Sequence, residues 1–195
     1  MHRTLRLITL CALAAIATAA SAQANATARQ KIRLQAFGML SYVRPDYGGA
    51  LRNAGGTIGA DANIGAFGRL EPGLEFRVLG SGGRVSNQYT YTVGPRVELD
   101  YGRFHPYATF QIGMGTIKYN NPEIINGVPY AKDNSIVMGY GGGLDYQLTP
   151  RWAVRADAIV QSWRVDPQSP KFHPMAFSLG VRYRFHFRGK HGPGF

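Results

Sequence analysis

The feature that most constrains this 195-residue chain is an alternation of apolar and polar residues on both sides of a proline turn, between residues 136 and 163. The apolar positions of the first half are Ile136, Met138, Tyr140, Leu144, Tyr146 and Leu148, and the positions between them include Gly139, Gly141, Gly143, Asp145 and Gln147. After Thr149-Pro150-Arg151, the apolar positions are Trp152, Val154, Ala156, Ala158 and Val160, and the polar ones are Arg155, Asp157 and Gln161. A period of two is typical of a β-strand. The segment therefore predicts two antiparallel strands joined by a short turn.

The charged residues of this hairpin indicate the environment of the strands. A strand of a membrane barrel presents apolar side chains to lipid and polar side chains to a lumen. Asp145, Arg155 and Asp157 are then enclosed, and the apolar face is in contact with acyl chains. We therefore interpret the hairpin as part of a membrane β-barrel.

The same alternation recurs along the rest of the chain. Further strands are predicted near residues 31–43, 57–67, 70–78, 89–101, 107–115 and 177–187, with loops at 44–56, 80–87, 117–134 and 164–174. Most strands are near the roughly 9–11 residues that a tilted transmembrane strand needs. The predicted fold is all-β, an eight-stranded antiparallel up-and-down transmembrane β-barrel.

The connections between these strands alternate between long and short, as they do in bacterial barrels with external loops and periplasmic turns. Aromatic residues of the outward face fall into two groups that predict girdles at the two membrane interfaces. The group near the short turns is Tyr101, Tyr146, Trp152, Phe185 and Phe187, and the group near the loops is Tyr42, Tyr89 and Tyr91.

The N-terminus predicts export. Residues 1–22 have a positive start, an apolar run that is too short to span a bilayer, and an A-x-A cleavage site at Ala20 and Ala22, which together are typical of a signal peptide. The predicted division is a signal peptide at 1–22, a flexible lead-in at 23–30, the barrel at 31–187 and a tail at 188–195. Cys11 is the chain's one cysteine, so the predicted mature protein contains none. The expected location is the cell outer membrane.

The formal net charge of +11 raises the question of a nucleic-acid partner. The basic residues are dispersed over turns, loops and both ends, without a basic helix or interleaved stacking aromatics, so we expect no nucleic acid to bind. For an exported protein, outer-membrane lipid or lipopolysaccharide phosphate is the expected counter-charge.

Inward positions carry a set of charges that nearly cancel. The predicted lumen network comprises Glu75, Arg77, Arg96, Glu98, Asp100, Asp145, Arg155, Asp157, Arg182 and Arg184, and Arg33, Asp61 and Glu71 share the inward phase. Two interpretations remain open, a narrow ion-selective pore and a plug of mutually neutralising salt bridges. The interior of about eight strands is just wide enough for side chains to fill, which favours the plug.

Three segments carry a resemblance to a known family. The family is that of the small outer-membrane barrels of the OmpX and OmpA-domain type, whose penultimate periplasmic turn is similar to residues 141–152 (GGGLDYQLTPRW). The second segment is residues 105–108 (HPYA), which open a glycine-rich strand. The third is residues 179–185 (LGVRYRF), which resemble the C-terminal assembly signal of these barrels. The resemblance implies a monomer that the outer-membrane assembly machinery inserts. In that family the signal usually ends the protein with an aromatic residue, whereas residues 188–195 follow here.

Outer-membrane barrels of this size include enzymes that modify lipid A, so catalytic groups have to be considered. A deacylase needs a serine and a histidine together, yet Ser178 and His186 are about 26 Å apart along one strand at ~3.3 Å per residue. His105 and His173 are expected in connections at opposite ends, no histidine pair has metal-ligand spacing, and the glycines of 139–143 lack the lysine of a phosphate loop. We predict no catalytic residue, cofactor or metal.

The predicted function is a non-enzymatic structural or adhesion-type surface role through the loops, of which 117–134 is the largest candidate surface. An extracellular ligand of unknown identity would bind there. The alternatives are a narrow porin-like pore and a lipid A-modifying barrel enzyme.

Overall fold

A computed structural model describes residues 32–46, 52–125, 128–164 and 172–185 of the chain. The strands are β1 (Arg33–Arg44), β2 (Asn53–Asn63), β3 (Leu70–Gly83), β4 (Ser86–Leu99), β5 (Phe104–Ile125), β6 (Val128–Gln147), β7 (Trp152–Arg164) and β8 (Met175–Arg184). Each pairs antiparallel with its neighbours in sequence, and β1 pairs with β8, so the sheet closes into a barrel. The predicted eight-stranded antiparallel barrel is confirmed.

Several predicted features lie outside the described residues. They are the signal peptide with Ala20 and Ala22, the lead-in, Phe187, His186 and the tail. Across the four described ranges, no helix is long and apolar enough to cross a membrane.

The two faces of the sheet are occupied as predicted. Glu75, Arg96 and Arg155 point into the barrel and are at most 1% exposed, whereas Leu40 and Met114 point outward and are 80% and 67% exposed. Apolar side chains therefore cover the outside of the barrel, and ionised side chains are enclosed. A soluble β-protein distributes these residue types in the opposite way.

The barrel has two distinct ends. We call the end with the β2–β3, β4–β5 and β6–β7 connections the turn end, and the opposite end the loop end. Both β1 and β8 have their outer termini at the turn end, because the strand number is even.

The predicted loops at 80–87 and 117–134 are wrong in most of their length. There β3 continues to Gly83 and β4 begins at Ser86, while β5 runs to Ile125 and β6 begins at Val128. The outward face becomes polar beyond Met114 and Ile136, but the backbone pairing continues past the Lys118–Lys132 pair, with a register shift before Glu123. Apolar alternation reports how far lipid extends, whereas strand pairing also persists in water.

The lumen is layered along the barrel axis. Its half near the loop end holds two apolar clusters, Ile117, Val137 and Trp163 in one, and Val43, Leu79 and Ala176 in the other. Below them lies a polar layer in which Gln161 Oε1 accepts hydrogen bonds from Gln88 Nε2 at 2.9 Å and from Trp163 Nε1 at 3.0 Å. The half near the turn end is charged.

A glycine makes room for the largest of the enclosed side chains. A Cβ atom on Gly115 would lie 2.2 Å from the Trp163 ring, which is fully buried, and 2.7 Å from Val137. The absence of a side chain at this inward position thus allows an indole to cross the lumen.

Candidate functional site

The charged side chains of the lumen form a connected network near the turn end. Its centre is Arg155 of β7, whose side chain is fully buried. The guanidinium donates from Nη1 and Nη2 to the two carboxylate oxygens of Asp61 at 3.0 and 2.9 Å. It donates from Nε and Nη2 to Asp145 at 2.7 and 2.9 Å. Two bidentate contacts therefore compensate the cost of burying this cation.

Arg96 of β4 shares both of those aspartates. Its Nη1 donates to Asp61 Oδ2 at 2.6 Å, and its Nη2 donates to Asp145 Oδ2 at 2.9 Å. The same Nη2 lies 2.9 Å from Glu98 Oε2. The two like-charged guanidiniums are thus held near each other by carboxylates that both of them contact, which makes the network cooperative.

Two aromatic rings flank the central arginines. The Cζ atom of Arg155 lies 4.4 Å from the centroid of Phe37 and 5.0 Å from that of Tyr107, and Arg96 Cζ lies 4.0 Å from Tyr107. Cation–π contacts of this kind add to the stabilisation that the carboxylates provide.

Neither ring was predicted to belong to the network, although the sequence carries a signal for both. Phe37 and Tyr107 occupy inward positions, and each is paired across the sheet with a glycine, Gly59 and Gly143 respectively. A Cβ atom on Gly59 would lie 2.4 Å from the Phe37 ring. A glycine opposite an inward aromatic residue indicates a ring that folds over the neighbouring strand.

A second branch of the network is built around Arg77 of β3. Its Nη2 donates to Asp157 Oδ2 at 2.6 Å, and its Nε donates to Glu75 Oε1 at 3.0 Å. The hydroxyl of Tyr107 donates to the same oxygen of Asp157 at 2.8 Å, and Gln111 Nε2 donates to Glu75 Oε1 at 2.6 Å. Tyr107 and Gln111 thus donate additional hydrogen bonds to Asp157 and Glu75, because the donors of Arg77 do not fill all the acceptor positions of two carboxylates.

The third branch joins β8 to β4 and β6. Arg182 Nη1 lies 3.3 Å from Glu98 Oε2 and 3.0 Å from Asp145 Oδ2. His105 Nδ1 lies 3.3 Å from Glu98 Oε1. The expectation that His105 lies in a connection is wrong, because the turn occupies only residues 102–103 and β5 begins at Phe104, which places His105 on the inward face, 4% exposed.

Two predicted members of the network lie at its edge or outside it. Asp100 lies at the edge of the network and not inside the lumen, since its side chain is 43% exposed. Its Oδ1 accepts a hydrogen bond from Gly102 N at 3.0 Å and lies 3.9 Å from Nδ1 of His105. The reason is that β4 ends at Leu99 and the chain begins to turn there. Arg184 is half-buried near the turn end, and its Nε and Nη2 form no hydrogen bond to another described residue.

The charges in the half of the lumen near the turn end balance. Six arginines face six carboxylates, namely Arg33, Arg77, Arg96, Arg155, Arg182 and Arg184, and Asp61, Glu71, Glu75, Glu98, Asp145 and Asp157. Glu71 completes the set by accepting from Arg33 and, at 2.9 Å, from Asn63 Nδ2. Each carboxylate of this set has at least one arginine partner, which offsets the cost of enclosing its charge.

The described side chains that could act in catalysis or bind a metal do not form a catalytic or metal-binding site. Ser178 points into the lumen, where it accepts a hydrogen bond from Ser41 Oγ at 3.0 Å. Within the described parts of the chain, no cluster of three or more His, Cys, Asp or Glu side chains could hold a metal ion.

The aromatic residues predicted to form girdles lie on the outer face. Tyr101, Trp152 and Phe185 are 53%, 48% and 40% exposed at the turn end, and Tyr146 is half-buried there against Phe104, with ring centroids 5.0 Å apart. On the loop side, Tyr42, Tyr89 and Tyr91 are 45%, 41% and 55% exposed. From Tyr91 to Tyr101 the ten residue steps span about 25 Å along the barrel axis, for a rise of ~3.3 Å and a tilt of ~40°. That height matches the apolar band of an outer-membrane barrel.

Comparison with solved structures identifies barrels of the same kind. The chain is similar to Ail, the attachment invasion locus protein of Yersinia pestis, with 16% identity, a TM-score of 0.52, and coverage of 80% of this chain and 99% of that one. It is also similar to Neisserial surface protein A (15% identity, TM-score 0.49, 79% and 97% covered) and to the N-terminal barrel domain of OprF from Pseudomonas aeruginosa (14%, 0.47, 80% and 100%). At these identities the likeness to Ail shows the fold alone. No curated protein matches the sequence.

The family model for the outer membrane protein beta-barrel domain matches residues 8–185, which is most of the chain. The matched range includes all eight strands and all residues of the lumen network. The chain therefore belongs to the outer membrane protein beta-barrel domain family, whose members reside in the outer membrane.

Proposed function

We propose that this protein is a non-enzymatic outer-membrane barrel with a structural or adhesion-type role, which it performs through the surface of its loop end. The observation that supports the proposal is the filled lumen. Paired charges occupy the half near the turn end, and two apolar clusters with buried polar side chains around them occupy the half near the loop end. This leaves the loop end as the surface that would meet partners outside the cell.

The layers of the lumen argue against a pore. An ion that enters from the loop end meets Ile117, Val137 and Trp163, each fully buried, and contact with these apolar side chains would cost it part of its hydration. Beyond them it meets Arg155 and Arg96, whose charges are already paired with carboxylates. The two barriers act in series.

The loop end is built as an exposed basic surface. Beyond the apolar band, its exposed cations are Arg44, Arg52, Arg84, Lys118, Lys132 and Arg164. Of the nearby carboxylates, Asp46 is exposed but accepts a hydrogen bond from His173 N, and Asp133 is buried and accepts one from Tyr119. The excess of positive charge suits anionic partners, such as lipopolysaccharide phosphates or acidic surface polysaccharides.

The barrel fold is compatible with such a role, since Ail, a protein named for attachment and invasion, has the same architecture. The absence of enzymatic activity is part of the proposal. It is supported by the engagement of Ser178 within the lumen, away from the lipid that a lipid A-modifying enzyme would attack.

The proposal is tested with cells that display the full-length protein on plates coated with dextran sulfate, a polyanion. We expect adhesion above that of cells without the protein, and loss of most of the gain in the variant Lys118→Gln, Lys132→Gln, Arg164→Gln. The matched control is Arg69→Gln, Arg103→Gln, Arg151→Gln, which removes the same charge at the turn end and leaves adhesion unchanged.

Equal adhesion of the wild type and the loop-end variant would contradict the proposal. A change in the mass of lipid A on expression would contradict its non-enzymatic part.

A further inference from the structure

Two turns at the turn end share a four-residue pattern. Phe67-Gly68-Arg69-Leu70 and Tyr101-Gly102-Arg103-Phe104 each place a glycine and an arginine between two large apolar residues. In both turns the outer residues form a β-bridge and the glycine has a positive φ, 65° at Gly68 and 72° at Gly102. This is the backbone that tight hairpin turns require, and glycine adopts it without strain. The third turn ends similarly, with Arg151 before Trp152.

Each turn holds its arginine at the edge of the apolar band. Arg69, Arg103 and Arg151 are exposed. Their flanking side chains are exposed and apolar, namely Phe67, Leu70, Tyr101, Phe104, Leu148 and Trp152, at 44–57%. Because those side chains lie in lipid, the guanidiniums between them are placed at the level of the lipid headgroups.

A backbone hydrogen bond connects each of the three turns to the end of a neighbouring strand. The carbonyl oxygen of Arg69 accepts from Asp100 N, that of Arg103 from Gln147 N and that of Arg151 from Arg184 N, each at 2.8 Å. In addition, Arg69 Cζ lies 5.3 Å from the ring centroid of Tyr101, in the next turn. The arginines therefore sit at fixed positions along the rim.

The charges of these arginines are not compensated within the described part of the protein. None of the three forms an ion pair with another described residue, in contrast to Arg77, Arg96, Arg155 and Arg182 of the lumen. The carboxylate of Asp100 accepts from Gly102 N instead. A rim with three free guanidiniums at headgroup level attracts phosphate, which the planar fork of arginine binds with two hydrogen bonds.

We propose that Arg69, Arg103 and Arg151 form a binding rim for anionic phospholipid in the leaflet that surrounds the turn end. The ligand is the phosphate of a lipid with net negative charge, and the flanking aromatic residues contact its glycerol and acyl region. The proposal does not depend on the surface role of the loop end, which lies at the other side of the membrane.

The tryptophans of this protein provide a local probe. The chain has two, of which Trp152 is 48% exposed beside Arg151, and Trp163 is fully buried in the lumen. Lipids with brominated acyl chains quench the fluorescence of a tryptophan that they contact, so quenching in this protein reports on the lipid next to the rim.

The experiment uses the full-length mature barrel folded into phosphatidylcholine vesicles that contain a small fraction of brominated phosphatidylglycerol, phosphatidylethanolamine or phosphatidylcholine. We expect brominated phosphatidylglycerol to be enriched around Trp152 about fivefold or more over the other two, given the attraction of a surface arginine for anionic lipid. Salt should reduce the enrichment, because the guanidiniums are exposed.

Variants locate the effect. In Arg69→Gln, Arg103→Gln, Arg151→Gln the enrichment should disappear, whereas it should persist in the loop-end variant Lys118→Gln, Lys132→Gln, Arg164→Gln. The corresponding triple lysine variant retains the charge and should retain part of the enrichment, and heat-modifiable gel migration verifies that each barrel is folded. Equal quenching by the three brominated lipids in the wild type, or unchanged enrichment in the glutamine variant, would overturn the proposal.

Discussion

At the scale of single residues, the lumen depends on the completeness of its ion pairs. Arg155 contacts Asp61 and Asp145 through four hydrogen bonds of 2.7–3.0 Å, and its Cζ lies 4.4 Å and 5.0 Å from the centroids of two aromatic rings. Removing one partner of a buried ion pair leaves an uncompensated charge in a region of low dielectric, which costs far more than the pair contributes. The loss of stability on substitution of a lumen residue therefore depends on the hydrogen bonds and compensating charge that its partners lose.

Replacement of Arg155 by methionine should show this effect. The variant leaves Asp61 with Arg96 as its one arginine partner and Asp145 with Arg96 and Arg182, and both aspartates lose two hydrogen bonds. We therefore expect the free energy of unfolding to fall by about 3–5 kcal/mol. Urea unfolding in lipid vesicles measures the change. The control is Arg164→Met on the same strand, where the side chain is exposed and the expected change is within about 0.5 kcal/mol. Similar losses in both variants would show that the network does not stabilise the barrel.

At the scale of the strands, apolar alternation and strand length are separate properties. Sequence periodicity predicted eight strands and their faces, because side chains of a strand alternate between lipid and lumen wherever the membrane is present. It failed at residues 117–134, where outward positions such as Lys118 and Lys132 are polar while Ile117 and Val137 continue to pack inside. The hairpin extends into water, and the hydrogen bonds between its strands do not require lipid.

The extended tip of the β5–β6 hairpin should be dispensable for folding. Replacement of residues 121–129 by Asn-Gly joins Asn120 to Tyr130 in the register of the Lys118–Lys132 pair. We expect the barrel to form, with a change of less than about 1 kcal/mol in the free energy of unfolding, because the deleted part lies beyond the apolar clusters. Heat-modifiable migration and urea unfolding measure the outcome, and failure to fold would assign the tip a structural role.

At the scale of the whole molecule, closure of the sheet decides what the lumen can do. Eight strands enclose a space that side chains fill, and here charged, polar and apolar layers follow one another from the turn end to the loop end. An ion would have to pass both the apolar layer and the arginines that are paired with carboxylates.

At this scale we predict that the barrel does not conduct ions. In planar bilayers we expect no steady channels from the wild type, and none from Ile117→Ala, Trp163→Ala, since the charge network behind the apolar layer remains in place. Single-channel recording tests both proteins side by side. Steady conductance from the wild type would support a pore, and conductance from the variant alone would identify the apolar layer as the only barrier.

The sequence alone was sufficient for the number of strands and for the face on which most of their side chains lie, because these properties follow from a local period of two. The alternation of short and long connections indicated the antiparallel order. It was not sufficient for the partners within the lumen. Arg155 meets Asp61 across 94 residues, and Arg96 meets Asp145 across 49, so these contacts depend on how the sheet closes and how its strands are staggered. The same applies to Asp100, which has the correct phase for the lumen but lies where β4 has ended. Only the closed barrel determines which enclosed charges are close enough to neutralise one another.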